Sequence, residues 1–229
     1  KPFILIKGKP MIVWAMESLI PFAVPPKNFV FISLEEHQKQ YQIVDQLKNL
    51  FSPEVHVLLI PEVTRGATET ALMAKEYMDD EEIIISDSDH FFDGLGLKKA
   101  VDEKDPDTAG IIPVFEPPDE EVKWSYTLFD KSTRVASAVG EKDPVLAKKG
   151  AYANIGAYYF SSGNEFAKEA EEMILSGDMY GAAEKREFYI APLYQRMISK
   201  SKKVQAAVVD FMWGLGTPKD LEYFEDTYR

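Results

Sequence analysis

Cysteine is absent from this 229-residue chain. That excludes disulfides, thiolate metal sites and cysteine nucleophiles. Long apolar runs are missing too: none approaches the roughly 20 residues a membrane-crossing helix needs, and no basic-then-apolar leader is expected. Basic residues are in deficit, 26 against 38 acids, for a formal net charge of −12. A nucleic-acid surface displaces counterions with positive charge, so the global field has the wrong sign for a duplex or an anionic membrane. A polyanionic ligand must therefore be small and held by a few local lysines or by a divalent cation. Histidine is scarce, with only His37, His56 and His90. Repeats and low-complexity tracts are lacking. These absences suit a cytoplasmic protein without nucleic-acid or membrane partners, and they leave a homo-oligomer open.

What is present is a 45% hydrophobic chain, enough for one large α/β domain or two small ones. Phe3 to Ile6 reads as a strand, followed by a helix with Pro10 at its first position, where a missing N–H does no harm. Phe29–Ser33 and Val55–Ile60 read as strands, with Tyr41, Val44, Leu47 and Leu50 at helical spacing between them. Residues 66–78 read as a helix. Strand–helix alternation of this kind implies a Rossmann-like, mixed but mostly parallel sheet with helices on both faces. The later chain changes character. A strand at 109–115 precedes a loop at 116–121, a hairpin turns around Asp130, and Tyr152 to Phe160 reads as one long aromatic strand. Ser162 with Glu165, and Thr217 with Pro218 and Asp220, are helix-start signals. The expectation is a single domain, 1–229, with a small antiparallel subregion.

The most informative run is Ile83-Ile84-Ile85-Ser86-Asp87-Ser88-Asp89-His90. β-branched residues make a buried strand, and two carboxylates follow at alternate positions, on one side if the segment is extended. In open α/β sheets ligands sit beyond the carboxyl ends of strands, so acids there are well placed to hold a metal against a phosphate. An acidic loop that merely caps the next helix is the plainer reading.

Several segments, in order, resemble the sugar-1-phosphate nucleotidyltransferase family: Lys1-Pro2-Phe3 with Gly8-Lys9-Pro10-Met11-Ile12, then Gly66-Ala67-Thr68-Glu69, Ser88-Asp89, Glu141-Lys142 and Asn154-Ile155-Gly156. Arg186-Glu187-Phe188-Tyr189 and Trp213-Gly214-Leu215-Gly216-Thr217-Pro218 carry the likeness to the end. Among the family's branches it most resembles the group that activates phosphocholine and other capsule precursors as well as sugars. The resemblance implies a nucleoside triphosphate and a small phosphorylated acceptor as partners, Mg2+ as cofactor, and pyrophosphate as product. It also implies a nucleotide-binding half, 1–115, and an acceptor-binding half, 116–229.

By the same resemblance Lys1 touches the phosphates, Gly66 and Ala67 let backbone approach the base, and Asp89 holds the metal with Asp87 as a second candidate. Lys142 grips the acceptor phosphate. Glu141, Asn154, Gly156 and Glu187 line the acceptor pocket, with Trp124 shaping it. Two departures stand out. The family's glycine-rich loop and first strand, which should precede Lys1, are not in this sequence. Gly214 stands where many members carry a second metal-binding aspartate, with Asp210 four residues back. Two other classes stay open: a glycosyltransferase reading Asp87-Ser88-Asp89 as its Asp-x-Asp motif, and a non-catalytic nucleotide-binding relative.

Overall fold

The computed structural model describes residues 1–117, 122–181 and 184–229. Most of the expected loop at 116–121 therefore lies outside the described residues. In chain order the elements begin with a small hairpin, β1 (Leu5–Ile6) and β2 (Lys9–Pro10), and helix α1 (Met11–Glu17). Next come β3 (Val30–Leu34), α2 (Glu35–Tyr41), α3 (Ile43–Leu50), β4 (His56–Ile60), α4 (Ala67–Leu72) and β5 (Ile83–Ser86). β6 (His90–Phe92), α5 (Gly94–Asp102), β7 (Thr108–Phe115), β8 (Ser125–Phe129), β9 (Ala136–Glu141) and α6 (Pro144–Lys148) follow. The last part holds β10 (Tyr152–Asn154), β11 (Ala157–Phe160), α7 (Gly163–Ser176), α8 (Ala191–Ser199), β12 (Lys203–Val208), β13 (Met212–Gly214) and α9 (Pro218–Thr227).

The mixed α/β architecture is the expected one. Its main sheet runs β5-β11-β7-β10-β8-β9, with β12 added beside β7. The antiparallel share is larger than strand–helix alternation suggests. Among the described strands, β3–β4 and β7–β12 pair in parallel, whereas β11 runs antiparallel to both β5 and β7, and β10 antiparallel to β7 and β8. The cause is a return strand: β11 comes late in the chain yet slots between two earlier strands. β5 belongs to the first half and β11 to the second, so the two halves share one sheet.

Tyr152–Phe160 is not one strand. It breaks at Gly156, whose φ of +77° is a left-handed conformation that glycine adopts without strain. Both β10 and β11 pair with β7, and the break lets their other edges pair with β8 and β5 respectively. Local start signals behave as expected. The Glu165 N–H donates to Ser162 Oγ at 3.1 Å, and the Asp220 N–H to Thr217 Oγ1 at 3.2 Å. Between α7 and α8 and the sheet lies the largest apolar cluster, including Phe160, Phe166 and Tyr194, all fully buried. A second, aromatic cluster under α1 and α9 joins Trp14, Phe91 and Phe224. It holds the β6–β13 ribbon against the end of β5, which places the acids.

Candidate metal and phosphate site

β5 ends at Ser86, and the chain turns so that Asp87, Asp89 and His90 converge, each offering a ligand atom within 4.8 Å of the others. The side chains meet on one side although the segment is a turn and not an extended strand. Three contacts fix that turn. The Asp87 N–H donates to Gly156 O at 2.9 Å, the Leu215 N–H to Asp89 O at 2.8 Å, and β13 pairs Gly214 opposite His90. Both acids are partly exposed, and His90 Nδ1 lies 3.5 Å from Asp87 Oδ2 and 3.7 Å from Asp89 Oδ1. Nδ1 is screened from solvent and makes no hydrogen bond of good geometry. Burial works against the charged imidazolium, but Asp87 first, then Asp89 and Asp220, outweigh it and raise the pKa of His90 above its ordinary value.

Two glycines hug this turn. A Cβ at Gly156 would fall 2.5 Å from Asp87 Oδ2 and 2.6 Å from His90 Nδ1, and one at Gly216 would fall 2.5 Å from Asp89 Oδ2. Side chains at either position would displace the carboxylates. Lys1 reaches the same place, its Nζ donating to Gly216 O at 3.1 Å. Thus Lys1, Asp87, Asp89 and Gly156, from distant parts of the sequence, are brought together. A cavity of about 540 Å³ opens beside Asp87 and Ser88, and Ala67 and Thr70 of α4 line it.

Gly66 is near that cavity, but its side-chain space is already taken. With φ +146° it packs against the backbone of Phe188, whose N would lie 2.5 Å from a Cβ there. The glycine is thus required by the fold itself, besides any approach to a base. The Gly214 departure also has a spatial answer. A Cβ at Gly214 would lie 3.6 Å from Asp220 Cγ, so the acid of the first turn of α9 stands next to the space an aspartate at 214 would use. The Asp210 N–H donates to Asp93 Oδ2 at 3.3 Å. The placement of Asp220 here was not expected; its sequence signal, an acid three residues after Thr217, reads as a capping residue, and its carboxylate accepts from Thr217 Oγ1 at 2.6 Å.

The second group gathers around Glu141, on the edge strand β9. Its side chain is only 4% exposed and takes a very short hydrogen bond from Ser125 Oγ. Burial pushes its carboxyl up; Ser125 and Lys142 oppose the shift, while Glu187 and Asp87 add to it. Lys142 follows in a left-handed conformation, φ +49°, which swings its amine out to Tyr189 Oη at 3.5 Å. Tyr158, a buried residue, is raised well above its usual value by burial and then by Asp87 and Glu141. Asp87, Glu141 and Glu187 therefore share one electrostatic neighbourhood. Glu187 also pairs with Lys185 at 3.2 Å.

Two of the anticipated pocket residues have structural duties. Asn154 is 5% exposed and accepts from Thr127 Oγ1 at 2.7 Å, while its Nδ2 makes no hydrogen bond. Trp124 packs edge-on against Phe115, 5.5 Å between ring centroids, in the cluster around Tyr126 and Leu146.

The raised Glu141 carries a stability consequence. A carboxyl whose folded value exceeds its unfolded one favours the protonated fold, so stability falls as pH climbs from the unfolded towards the folded value and stays lower above it. Glu141→Gln keeps an oxygen for Ser125 and removes the charge. Its melting temperature should exceed the parent's at neutral pH, with the two converging below the ordinary glutamate range. A parent that melts higher than the variant at neutral pH contradicts this account.

The profile of the nucleotidyl transferase family matches residues 1–227. No curated protein matches the sequence. Among solved structures, a nucleoside-diphosphate-sugar pyrophosphorylase from Vibrio cholerae superposes with a TM-score of 0.77 at 18% identity, covering 99% of this chain and 91% of that one. An inositol-1-phosphate CTP transferase from T. maritima gives 0.71 at 14% identity, covering 96% and 82%. HddC from Yersinia pseudotuberculosis, complexed with GMP-PN, gives 0.64 at 18% identity, covering 100% and 89%. At these identities the likeness shows a common fold.

Proposed function

Because the chain belongs to the nucleotidyl transferase family, we propose that it joins a nucleoside triphosphate to a sugar 1-phosphate or another small phosphomonoester, of the kind that serves as a nucleotide-sugar or capsule precursor. The acceptor's phosphate oxygen attacks the α-phosphorus, the bond to the β-phosphate's bridging oxygen breaks, and pyrophosphate leaves. Such chemistry asks for positioning and charge neutralisation more than for proton transfer. The observation that carries the reading is the convergence of Asp87, Asp89 and His90 at the carboxyl end of β5.

Hard oxygen donors with room for water and phosphate suit magnesium, so Asp89, assisted by Asp87, is its proposed holder and His90 a hydrogen-bonding neighbour. Bound there, the ion would neutralise charge on the α-phosphate. Lys1, anchored on Gly216, supplies a cation to the phosphates. Ala67, which lines the cavity, and Gly66 just before it border the nucleotide on the α4 side. Lys142 holds the acceptor's phosphate, and Glu141 and Glu187 accept from its hydroxyl or other donor groups. Asn154, Gly156 and Trp124 shape the acceptor side, chiefly by holding β8, β10 and the turn at 156 in place. Residues 1–115 then serve the nucleotide and 116–229 the acceptor within one domain, in the cytoplasm.

The direct test is pyrophosphate release across the common nucleoside triphosphates and a panel of phosphomonoesters, with magnesium present. Transfer of a sugar from a nucleotide sugar, with no pyrophosphate formed, would overturn the reading. Within that assay Lys142→Ala should raise the acceptor's KM about tenfold, the scale of one charge-assisted hydrogen bond, and leave the triphosphate's KM in place. Equal weakening of both substrates would remove Lys142 from the acceptor's phosphate.

A further inference from the structure

α7 is capped by Gly177, left-handed at φ +72°, and the Asp178 N–H turns back to Met173 O at 3.2 Å. From there the chain makes an excursion closed by a two-way bridge. The Tyr180 N–H donates to Glu187 O at 3.0 Å, and the Glu187 N–H to Tyr180 O at 2.8 Å. The excursion therefore has two feet. The later one is stitched to the start of α4, with Phe188 bonded to Arg65 and Thr68. The earlier one stands on α8, where Arg196 Nη1 donates to Asp178 Oδ2 at 2.6 Å. The same oxygen accepts from Ser176 Oγ at 2.7 Å.

Arg196 also borders two acids of α7, and both have a nearer partner. Glu169, its side chain 2% exposed, holds the Lys200 amine with both oxygens, at 2.7 and 2.8 Å, and Glu172 takes the same amine at 2.5 Å. Arg196 stands further off, Nε 3.7 Å from Glu169 and Nη2 3.6 Å from Glu172, and Nε makes no hydrogen bond. Lys200 thus neutralises the buried carboxylate and ties the end of α8 to α7, while the short, charge-assisted bond of Arg196 goes to the loop. The Tyr180 hydroxyl feels both members of that bond. Burial and then Asp178 raise its pKa, and Arg196 opposes them.

We infer that Asp178 and Arg196 are a positioning pair that fixes Glu187, and through it the acceptor side of the pocket. Asp178 acts through Tyr180, two residues on, whose N–H and C=O hold the Glu187 backbone. Glu187 in turn bears on Glu141, and Tyr189 beyond it meets Lys142 at 3.5 Å. Releasing the earlier foot frees Tyr180 and Glu187 together. The later foot still holds Phe188, and with it the α4 turn on the nucleotide side. The pair matters to the acceptor through the roles proposed above for Glu187 and Lys142, on which this inference rests.

The test compares the parent with Asp178→Ala and Lys200→Gln. Hydrogen exchange is read at the Tyr180 and Glu187 amides, beside the KM of each substrate and the melting temperature. In Asp178→Ala both amides should exchange about tenfold faster, the scale of one charge-assisted hydrogen bond. The acceptor's KM should rise about fivefold and the triphosphate's stay in place. The pair is partly exposed, so the melting temperature should fall by less than about 3 °C. Lys200→Gln strands the buried Glu169 and should lose more than about 4 °C, with both amides and both KM values as in the parent. Unchanged amides in Asp178→Ala would overturn the inference, as would faster amides with an unchanged acceptor KM. Both variants loosening the two amides alike would overturn it too, since a plain tie between helices predicts that. A parent that releases no pyrophosphate overturns the reaction proposed above instead, and exchange at the two amides still decides whether the pair holds Glu187.

Discussion

Asp89→Asn is expected to lower turnover by roughly 100-fold, since a metal ligand's charge on a transferring phosphoryl group is worth several kcal/mol. The fold should barely notice. Asp89 holds its turn through its carbonyl, which takes the Leu215 N–H at 2.8 Å, and the backbone is untouched by the change. Its side chain is a third exposed and lies 3.7 Å from His90 Nδ1. An amide of the same shape removes the charge and keeps the packing against Gly216. The melting temperature should therefore move by less than about 2 °C, the response of a chain this size to well under 1 kcal/mol. Turnover within a few-fold of the parent would remove Asp89 from the chemistry. Lost turnover together with a large drop in melting temperature would recast it as a structural residue.

Gly66→Ala should be the most destabilising single methyl in the vicinity of the site. The residue sits at φ +146°, ψ 174°, where L side chains are strained by about 1–3 kcal/mol. The new Cβ would also lie 2.5 Å from Phe188 N and 2.7 Å from Phe188 O. Neither atom can withdraw cheaply. The Phe188 N–H donates to Arg65 O and the Thr68 N–H donates to Phe188 O, both at 2.9 Å, so the two segments are stitched on either side of the glycine. A loss of roughly 3 kcal/mol, or about 6–12 °C in melting temperature, is expected. The measurement is a thermal melt of the protein without nucleotide. A melt unchanged from the parent would mean that the close approach to Phe188 does not hold, leaving the nucleotide as the reason for glycine there.

These two positions differ in how they can be known. That an acid at the tip of β5 is exposed to a ligand follows from apolar residues 83–85 running straight into Asp87. That Gly66 is required because of Phe188 does not follow from anything near residue 66, since the partner lies over a hundred residues away. Caps behave like the first case. Ser162 and Thr217 each bond a backbone N–H three residues ahead, so their signals are complete within one turn. The aromatic stretch 152–160 behaves like the second. Its composition suits one strand, and the kink at Gly156 has meaning only against Asp87 and His90, which a Cβ there would strike.

The site divides along the same line. Periodicity, capping residues and the order of motifs sufficed for the α/β class, the carboxyl-end acids and the family, because those signals are local or are carried by succession along the chain. Long-range assembly alone sets Asp220 beside the vacant side-chain position of Gly214 and couples Glu141 to Asp87 and Glu187. Which strands become neighbours is decided by the joint packing of α1, α4, α7 and α8 on the sheet, and no segment of the chain encodes that by itself.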